Sequence, residues 1–186
     1  MPKSIEDAKI LIVATNGFEY SELTKPRDIL AGKGASVTLA SLDTDEIQGE
    51  SGGEPQGKVK PDTTIGEVSA EDFDALVLPG GVGNPDTLRM EKDVVRLIQA
   101  FDNDDKPVAA ICHAPWLLIE ADLVDGKTAT SWPSVRTDLA NAGANVVDQE
   151  VAVDGNIITS RNPDDIPAFT DAIIEAVTSK AMAEAA

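Results

Sequence analysis

The sequence holds one cysteine and one histidine in 186 residues, and each scarcity excludes a class of chemistry. With a single thiol, Cys112, no internal disulfide can form, which fits a reducing cytosol. One Cys and one His, adjacent at 112 and 113, fall short of a closed structural zinc site, so no metal is expected. Basic residues are scarce too. Lys plus Arg total 15 against 33 Asp plus Glu, giving a formal net charge of -18 and a pI near 4.2. No Lys/Arg cluster offsets that field, so binding to nucleic acid through a basic patch, or to an anionic membrane, is disfavoured. The acidic coat serves either plain solubility or hydration in a salt-rich cytoplasm, and urea melts in low and molar KCl separate the two. Long apolar runs are missing. No stretch nears the roughly 20 residues of a membrane span, and Met1 to Asp7 is polar rather than a signal peptide, so a cytoplasmic protein is expected. Internal repeats and low-complexity linkers are absent, apart from the alanine-rich tail.

What is present alternates regularly. The length suits one α/β domain over residues 1–186, able to bury roughly 70% of its unfolded surface without a staple. Ile10 to Ala14 is continuous and β-branched, as in a strand buried on both faces. Asn16-Gly17 turns the chain, and Ser21 to Leu30 reads as a helix with a break or kink at Pro26. Val37 to Ala40 is a second strand, and the polar, Gly-rich stretch from Asp43 to Lys60 a hairpin or extended excursion. Ser69 caps a short turn before the strand Ala75 to Leu78. A helix over Lys92 to Phe101, a strand over Pro107 to Ile111 and a helix from Pro115 to Ala121 follow. Thr128 to Thr130 reads as a strand and Ser134 to Ala142 as a helix. Asp154-Gly155 marks a hairpin, and a last helix starts near Ile166. Such alternation implies a mostly parallel sheet covered by helices on both faces, with ligands at the carboxyl ends of the strands. Three loops lie there: Asn16 to Glu19, Pro79 to Gly83 and Cys112 to Pro115.

Cys112 is the first candidate for chemistry. Its strand-to-helix junction is where a sharp turn lifts a side chain above a sheet, and a following helix N-terminus favours the thiolate. His113 either pairs with that thiol as a dyad or orients the turn through its backbone. Glu19 reaches the same crevice from the first loop and offers a general acid or base. Gly80 and Gly81 allow close backbone approach and offer N–H groups as an oxyanion hole. Neither a P-loop nor a dinucleotide fingerprint is present, so no cofactor is expected.

Taken in order, Gly17-Phe18-Glu19, Leu78-Pro79-Gly80-Gly81, Ile111-Cys112-His113-Ala114-Pro115, Thr130-Ser131-Trp132-Pro133, Asn141-Ala142-Gly143-Ala144 and Val153-Asp154-Gly155-Asn156 resemble the ThiJ/PfpI family over about residues 8–177. The resemblance implies a flavodoxin-like α/β/α sandwich with a catalytic Cys112 and Glu19 as its acidic partner. It implies further that Asp86 meets His113 across a subunit boundary, hence a homodimer or a hexamer of dimers. Related sequences commonly carry glycine where this one has Ala114, whose methyl is expected to narrow the pocket or shift its backbone. Trp116 and Arg161 are candidates for the pocket lining or, equally, for core and salt-bridge roles. The implied activity is a glutathione-independent glyoxalase or deglycase acting on aldehydes such as methylglyoxal. Alternatives are an intracellular cysteine peptidase or amidase, and a redox sensor oxidised at Cys112. A glutamine amidotransferase would need a second histidine, which is missing.

Overall fold

A computed structural model describes residues 4–183. Residues 1–3 and 184–186, including the end of the alanine-rich tail, lie outside the described residues. In chain order the elements are β1 Lys9–Val13, β2 Phe18–Glu19, α1 Tyr20–Gly32, β3 Ser36–Ser41, β4 Ile47–Ser51, β5 Glu54–Val59, β6 Thr63–Thr64 and β7 Ala75–Leu78. There follow α2 Gly83–Leu88, α3 Lys92–Asn103, β8 Val108–Ile111, α4 Pro115–Glu120, β9 Thr128–Ala129, α5 Arg136–Asn141, β10 Asn145–Val146, β11 Val151–Asp154, β12 Ile157–Ser160 and α6 Ile166–Ala183.

Seven strands form the central sheet in the order β11-β12-β8-β7-β1-β3-β6. Every neighbouring pair is parallel except β11 with β12. Strand periodicity explains why both faces are covered. Leu11, Val13, Leu76, Leu78, Val108 and Ala110 enter one apolar cluster, while Ile10, Ile12, Val77, Ala109, Ile111 and Ile158 enter the other. Each strand is therefore apolar on both sides, and water is excluded above and below it. The helices answer with single stripes: Val94, Leu97, Ile98 and Phe101 on α3 are buried at helical spacing, as are Ile166, Phe169, Ile173 and Val177 on the last helix. The helix-covered, mostly parallel sheet expected from the alternation is observed, and so is the flavodoxin-like sandwich that the resemblance implies.

Several local expectations changed. Helix α1 runs unbroken across Pro26, whose ring is buried, although the carbonyl four residues back, on Glu22, loses its helical donor there. The 43–60 stretch, by contrast, is the hairpin expected there, formed by β4 and β5 and set beside the main sheet by parallel pairing of β2 with β4. It lies close on the rings of Phe18 and Tyr20, where a Cβ on Gly49 would come within 2.8 Å of both. The Thr128 strand pairs with β10, not with the central sheet. Between β11 and β12 the two loop residues are Gly155-Asn156, one position later than the Asp154-Gly155 signal. Helix α2 was not expected from the sequence at all. Among the described residues no helix is long and apolar enough to cross a membrane.

Candidate active site

The carboxyl ends of β1, β7 and β8 open onto a cleft of about 550 Å³ whose lining includes Glu19, Glu22, Gly81, Cys112, His113 and Trp132. The far wall comes from the hairpin, through Glu50, Ser51, Gly52 and Gly53.

Cys112 sits between β8 and α4 with φ 65°, in the left-handed region that a non-glycine residue enters only when its surroundings hold it there. The turn is held on both sides: the Cys112 N–H donates to the Ser160 carbonyl at 3.0 Å, and the Trp132 N–H donates to the Cys112 carbonyl at 2.9 Å. This inverted residue points the thiol into the cleft while its neighbours stay in the sandwich. Close approach by β7 completes the seat. A Cβ on Gly80 would lie 2.6 Å from the Cys112 Cβ, 2.5 Å from Glu22 Oε2 and 2.7 Å from the Ile111 carbonyl, so only glycine fits. The loop carrying Gly80 is tied down by Asn84, which is fully buried. Its amide nitrogen donates to the Pro79 and Gly80 carbonyls at 2.8 and 3.2 Å, and its oxygen accepts the Thr15 N–H at 2.7 Å. One side chain thus joins the loops after β1 and β7.

The carboxyl beside the thiol belongs to Glu22, not to Glu19. Glu22 lies on the first turn of α1 with no exposed surface; its Oε2 accepts the Gly80 N–H at 2.9 Å and its Oε1 has no conventional donor. Glu19, the last residue of β2, is only half-buried at the cleft mouth, where it accepts from the Ser21 hydroxyl at 3.2 Å. Helical geometry accounts for the exchange. Position 22 shares a stripe with Pro26 and Leu30 that faces the sheet, whereas position 19 precedes the helix.

Burial first, and the charge of Glu19 second, push the Glu22 carboxyl up to about 8; the Gly80 N–H and the Cys112 thiol pull the other way. An ionised carboxylate there would cost several kcal/mol in lost hydration, so near neutrality Glu22 holds its proton. Cys112 departs from the sequence expectation of a lowered thiol. Burial first, and the charge of Glu22 second, push it above the usual thiol range, while the N–H groups of Gly81 and His113, which face the sulfur, pull it down. Helix α4 begins at a proline and offers the sulfur no compensating N–H from its first position. The two side chains titrate as a pair. When Glu22 is protonated its charge no longer opposes the thiolate, and its O–H can donate to the sulfur.

His113 does not diverge from the cysteine: its Nδ1 is 3.1 Å from the thiol and its Nε2 is 3.4 Å from the Ser134 hydroxyl. Its ring stacks on Trp132 at 5.7 Å and leans on Trp116 at 5.3 Å. Burial pushes the imidazole down, which leaves it neutral at pH 7.

The remaining candidates separate. Gly81 stays in the cleft, but the Gly80 N–H is taken by Glu22 and is not free for an oxyanion. Ala114 packs into the core behind the turn and does not line the cleft, so its methyl cannot narrow it. Trp116 is also outside the cleft; its indole N–H donates to Asp138 at 2.8 Å and Arg89 lies over its ring. Arg161 takes the salt-bridge role, with Asp165 and Asp148. Asp86 is exposed on the first turn of α2 and does not line the cleft of its own chain. Residues missed from sequence are Glu22, Asn84, Trp132 and the hairpin tip. For Glu22 a signal existed: an acid on the apolar stripe of α1, at spacing four from Pro26 and Leu30.

A cysteine on an inverted strand-to-helix turn, above a parallel sheet and beside a buried acid, defines a class: α/β sandwiches with an elbow thiol. Within it the chain belongs to the DJ-1/PfpI family, whose sequence model matches residues 8–176. It is 45% identical over 163 residues to general stress protein 18 of Bacillus subtilis, covering 87% of this chain and 92% of that one. It is 41% identical over 161 residues to deglycase PfpI of Pyrococcus furiosus, covering 87% and 94%. The crystal structure of Drosophila melanogaster DJ-1beta superposes with a TM-score of 0.84 at 32% identity, covering 94% of each chain.

Proposed function

We propose that the protein is a glutathione-independent glyoxalase or deglycase in which Cys112 attacks the carbonyl carbon of reactive aldehydes or their adducts. The observation that carries this reading is the placing of a fully buried carboxyl against a thiol that two backbone N–H groups also face. On methylglyoxal, the Cys112 thiolate, with Glu22 holding the pair's one proton, adds to the aldehyde carbon, and the oxygen formed takes that proton to give a hemithioacetal. Glu22, now a carboxylate, removes the hydrogen from that carbon, and the electrons move onto the ketone oxygen as an enediolate. Glu22 returns the proton to the neighbouring carbon while the hydroxyl proton of the former aldehyde oxygen passes to the former ketone oxygen, leaving the lactoyl thioester. Water then gives a proton to Glu22 and its hydroxide to the thioester carbon, releasing lactic acid and the thiolate. The N–H groups of Gly81 and His113 would hold the oxyanions of addition and hydrolysis. Glu22 replaces Glu19 in the acid–base role because proton transfer requires hydrogen-bonding reach.

The test is methylglyoxal loss and lactate formation without glutathione, in the wild type and in Cys112→Ala, Glu22→Gln and Glu19→Gln at matched folding. Turnover lost in the first two and retained in the third is expected. A wild type that converts neither methylglyoxal nor its arginine adducts would refute the reading.

The 3.1 Å approach of His113 to the sulfur favours a second reading, a PfpI-type peptidase. There a neutral imidazole takes the thiol proton and hands it to a leaving amine, with Asp86 of a second copy orienting the ring. That reading requires a dimer or hexamer, and a monomeric protein by light scattering would count against it.

A further inference from the structure

The hairpin that walls the cleft is firm at its base and loose at its tip. At the base, the Gln48 side-chain amide donates to the Gly49 and Gly57 carbonyls at 2.7 and 2.9 Å, and the Gln48 N–H donates to Asn16 Oδ1 at 2.8 Å. The Tyr20 ring lies so close to Gly49 and Gly57 that a Cβ on either would come within 2.8 Å of it. Above the base the ladder weakens. Its register shifts between Gly49 and Glu50, and the first pair beyond the shift is Glu50 with Pro55, which has no N–H to give. Pairing of β4 with β2 ends at the same residue, Glu50. The tip from Ser51 to Glu54 is therefore joined to a rigid base through an irregular register and a proline.

Gly52 and Gly53 turn the tip with φ of 60° and 87°, and a Cβ on either would meet nothing within 4 Å. Both line the cleft without packing against its other walls. Outside the strand pairs, one hydrogen bond among the described residues ties the tip to the body. The Gly52 N–H donates to Glu19 Oε2 at 3.4 Å, while Glu19 Oε1 accepts from the Ser21 hydroxyl at 3.2 Å. A single carboxylate at the mouth thus spans from the first turn of α1 to the hairpin tip.

We propose that the hairpin tip, Ser51 to Glu54, is a flap over Cys112 that swings about the Glu50–Pro55 pair, and that Glu19 is its latch. Latched, the tip walls the cleft and limits what reaches the thiol to small molecules. Released, it opens the mouth to bulkier groups. A long, half-exposed hydrogen bond suits this task, because the two forms then differ by about one net hydrogen bond and both are populated. Glu19 acts on access, separately from the proton held by Glu22. The flap works in the same way whether the thiol attacks an aldehyde or an acyl carbon.

The experiment reads access without requiring turnover. Cys112 is modified with two neutral maleimides, N-methylmaleimide and N-(1-pyrenyl)maleimide. The sulfur adds across the same double bond in each, so the ratio of bulky to small rates cancels any change in thiol ionisation. Glu19→Ala is expected to raise that ratio by about threefold to tenfold, the worth of one net hydrogen bond, with Ser21→Ala moving it in the same direction. Glu19→Gln, whose amide oxygen can still accept the Gly52 N–H, should stay near the wild type. Glu50→Ala removes an equal side chain from the same cleft and keeps the latch, so it should move the ratio far less. As a measure free of thiol chemistry, NMR relaxation of the Gly52 and Gly53 amides is compared with that of Gln48 and Gly57. In Glu19→Ala the tip pair should gain mobility and the base pair should not. A ratio unmoved by Glu19→Ala or raised equally by Glu50→Ala, or a tip no more mobile in Glu19→Ala than in the wild type, overturns the proposal. Aldehyde turnover can fail while both results hold, so the two readings fail separately.

Discussion

Two charged clusters adjoin the Cys112 turn and follow opposite rules. On the substrate side Glu19, Glu22 and Glu50 share one sign and have no cation among them. On the other, Arg136, Asp148, Arg161 and Asp165 alternate in sign. Arg161 donates through Nε and Nη2 to the two oxygens of Asp165 at 2.8 and 2.9 Å, and Asp148 bridges Arg161 and Arg136 at 2.9 and 2.8 Å. The arginines hold the Asp148 carboxyl below the usual range, Arg161 contributing most, and Asp165 leads in raising Arg161. Both groups tie into one turn, since Arg161 follows the Ser160 carbonyl that accepts the Cys112 N–H. The alternating cluster sets each charge against its opposite and holds chain segments together. The like-signed cluster cannot keep all its charges, so its most buried member takes up a proton. That proton is what the proposed chemistry needs, and a paired carboxylate would not offer it.

The largest expected effect comes from filling the seat. Gly80→Ala puts a methyl against Glu22, Cys112 and backbone at once; urea unfolding should show a loss of about 2–4 kcal/mol, and methylglyoxal turnover should fall with it. Unchanged stability would mean that β7 and the elbow are not in contact.

Next is Glu22→Gln. Turnover should drop by about 10²–10⁴, the usual contribution of a general acid–base group. The variant also sharpens the comparison through pH. Glu22 binds its proton more tightly folded than unfolded, so its contribution to stability is complete below its unfolded value of 4.5 and is lost as pH rises through about 8. The wild type should therefore lose stability relative to Glu22→Gln between pH 5 and pH 8, by up to a few kcal/mol. Parallel pH–stability curves would remove the buried proton.

The alternating cluster should respond oppositely. Asp165→Asn leaves Arg161 without its bidentate partner, so the urea midpoint should fall at pH 7. KM for methylglyoxal should barely move, because neither residue lines the cleft. The smallest effect is Glu50→Gln. Relief of the Glu19–Glu50 repulsion should raise stability by about 0.2–1 kcal/mol at low salt, and molar KCl should erase the gain.

Much of the sandwich is legible in the chain because it rests on local pattern. Ile10 to Ala14, Ala75 to Leu78 and Val108 to Ile111 are apolar at every position, and α3 repeats apolar residues at helical spacing. The same reading places Cys112 at a turn above the sheet. It misses α2, six residues around Gly83, Asn84 and Pro85, because weak helix formers leave no stripe to see. It expects a break or kink in α1 at Pro26, because intrinsic propensity cannot weigh the packing that holds the ring in place.

The site divides the same way. From residue types and order alone follow the parallel sheet, the elbow cysteine, its histidine neighbour and the glycines that let β7 approach. Which glutamate meets the thiol does not follow. Glu19 and Glu22 are three residues apart, and only the docking of α1 on the sheet buries one and leaves the other at the mouth. The thiol's ionisation is likewise decided by burial, a carboxyl from α1 and N–H groups from the ends of β7 and β8, which meet only in the folded chain. Local pattern determines which segments are buried strands and helices, since burial period is written in neighbouring residues. Proton affinities and charge pairing depend on distances between residues far apart in sequence, and those distances exist only once the layers have packed.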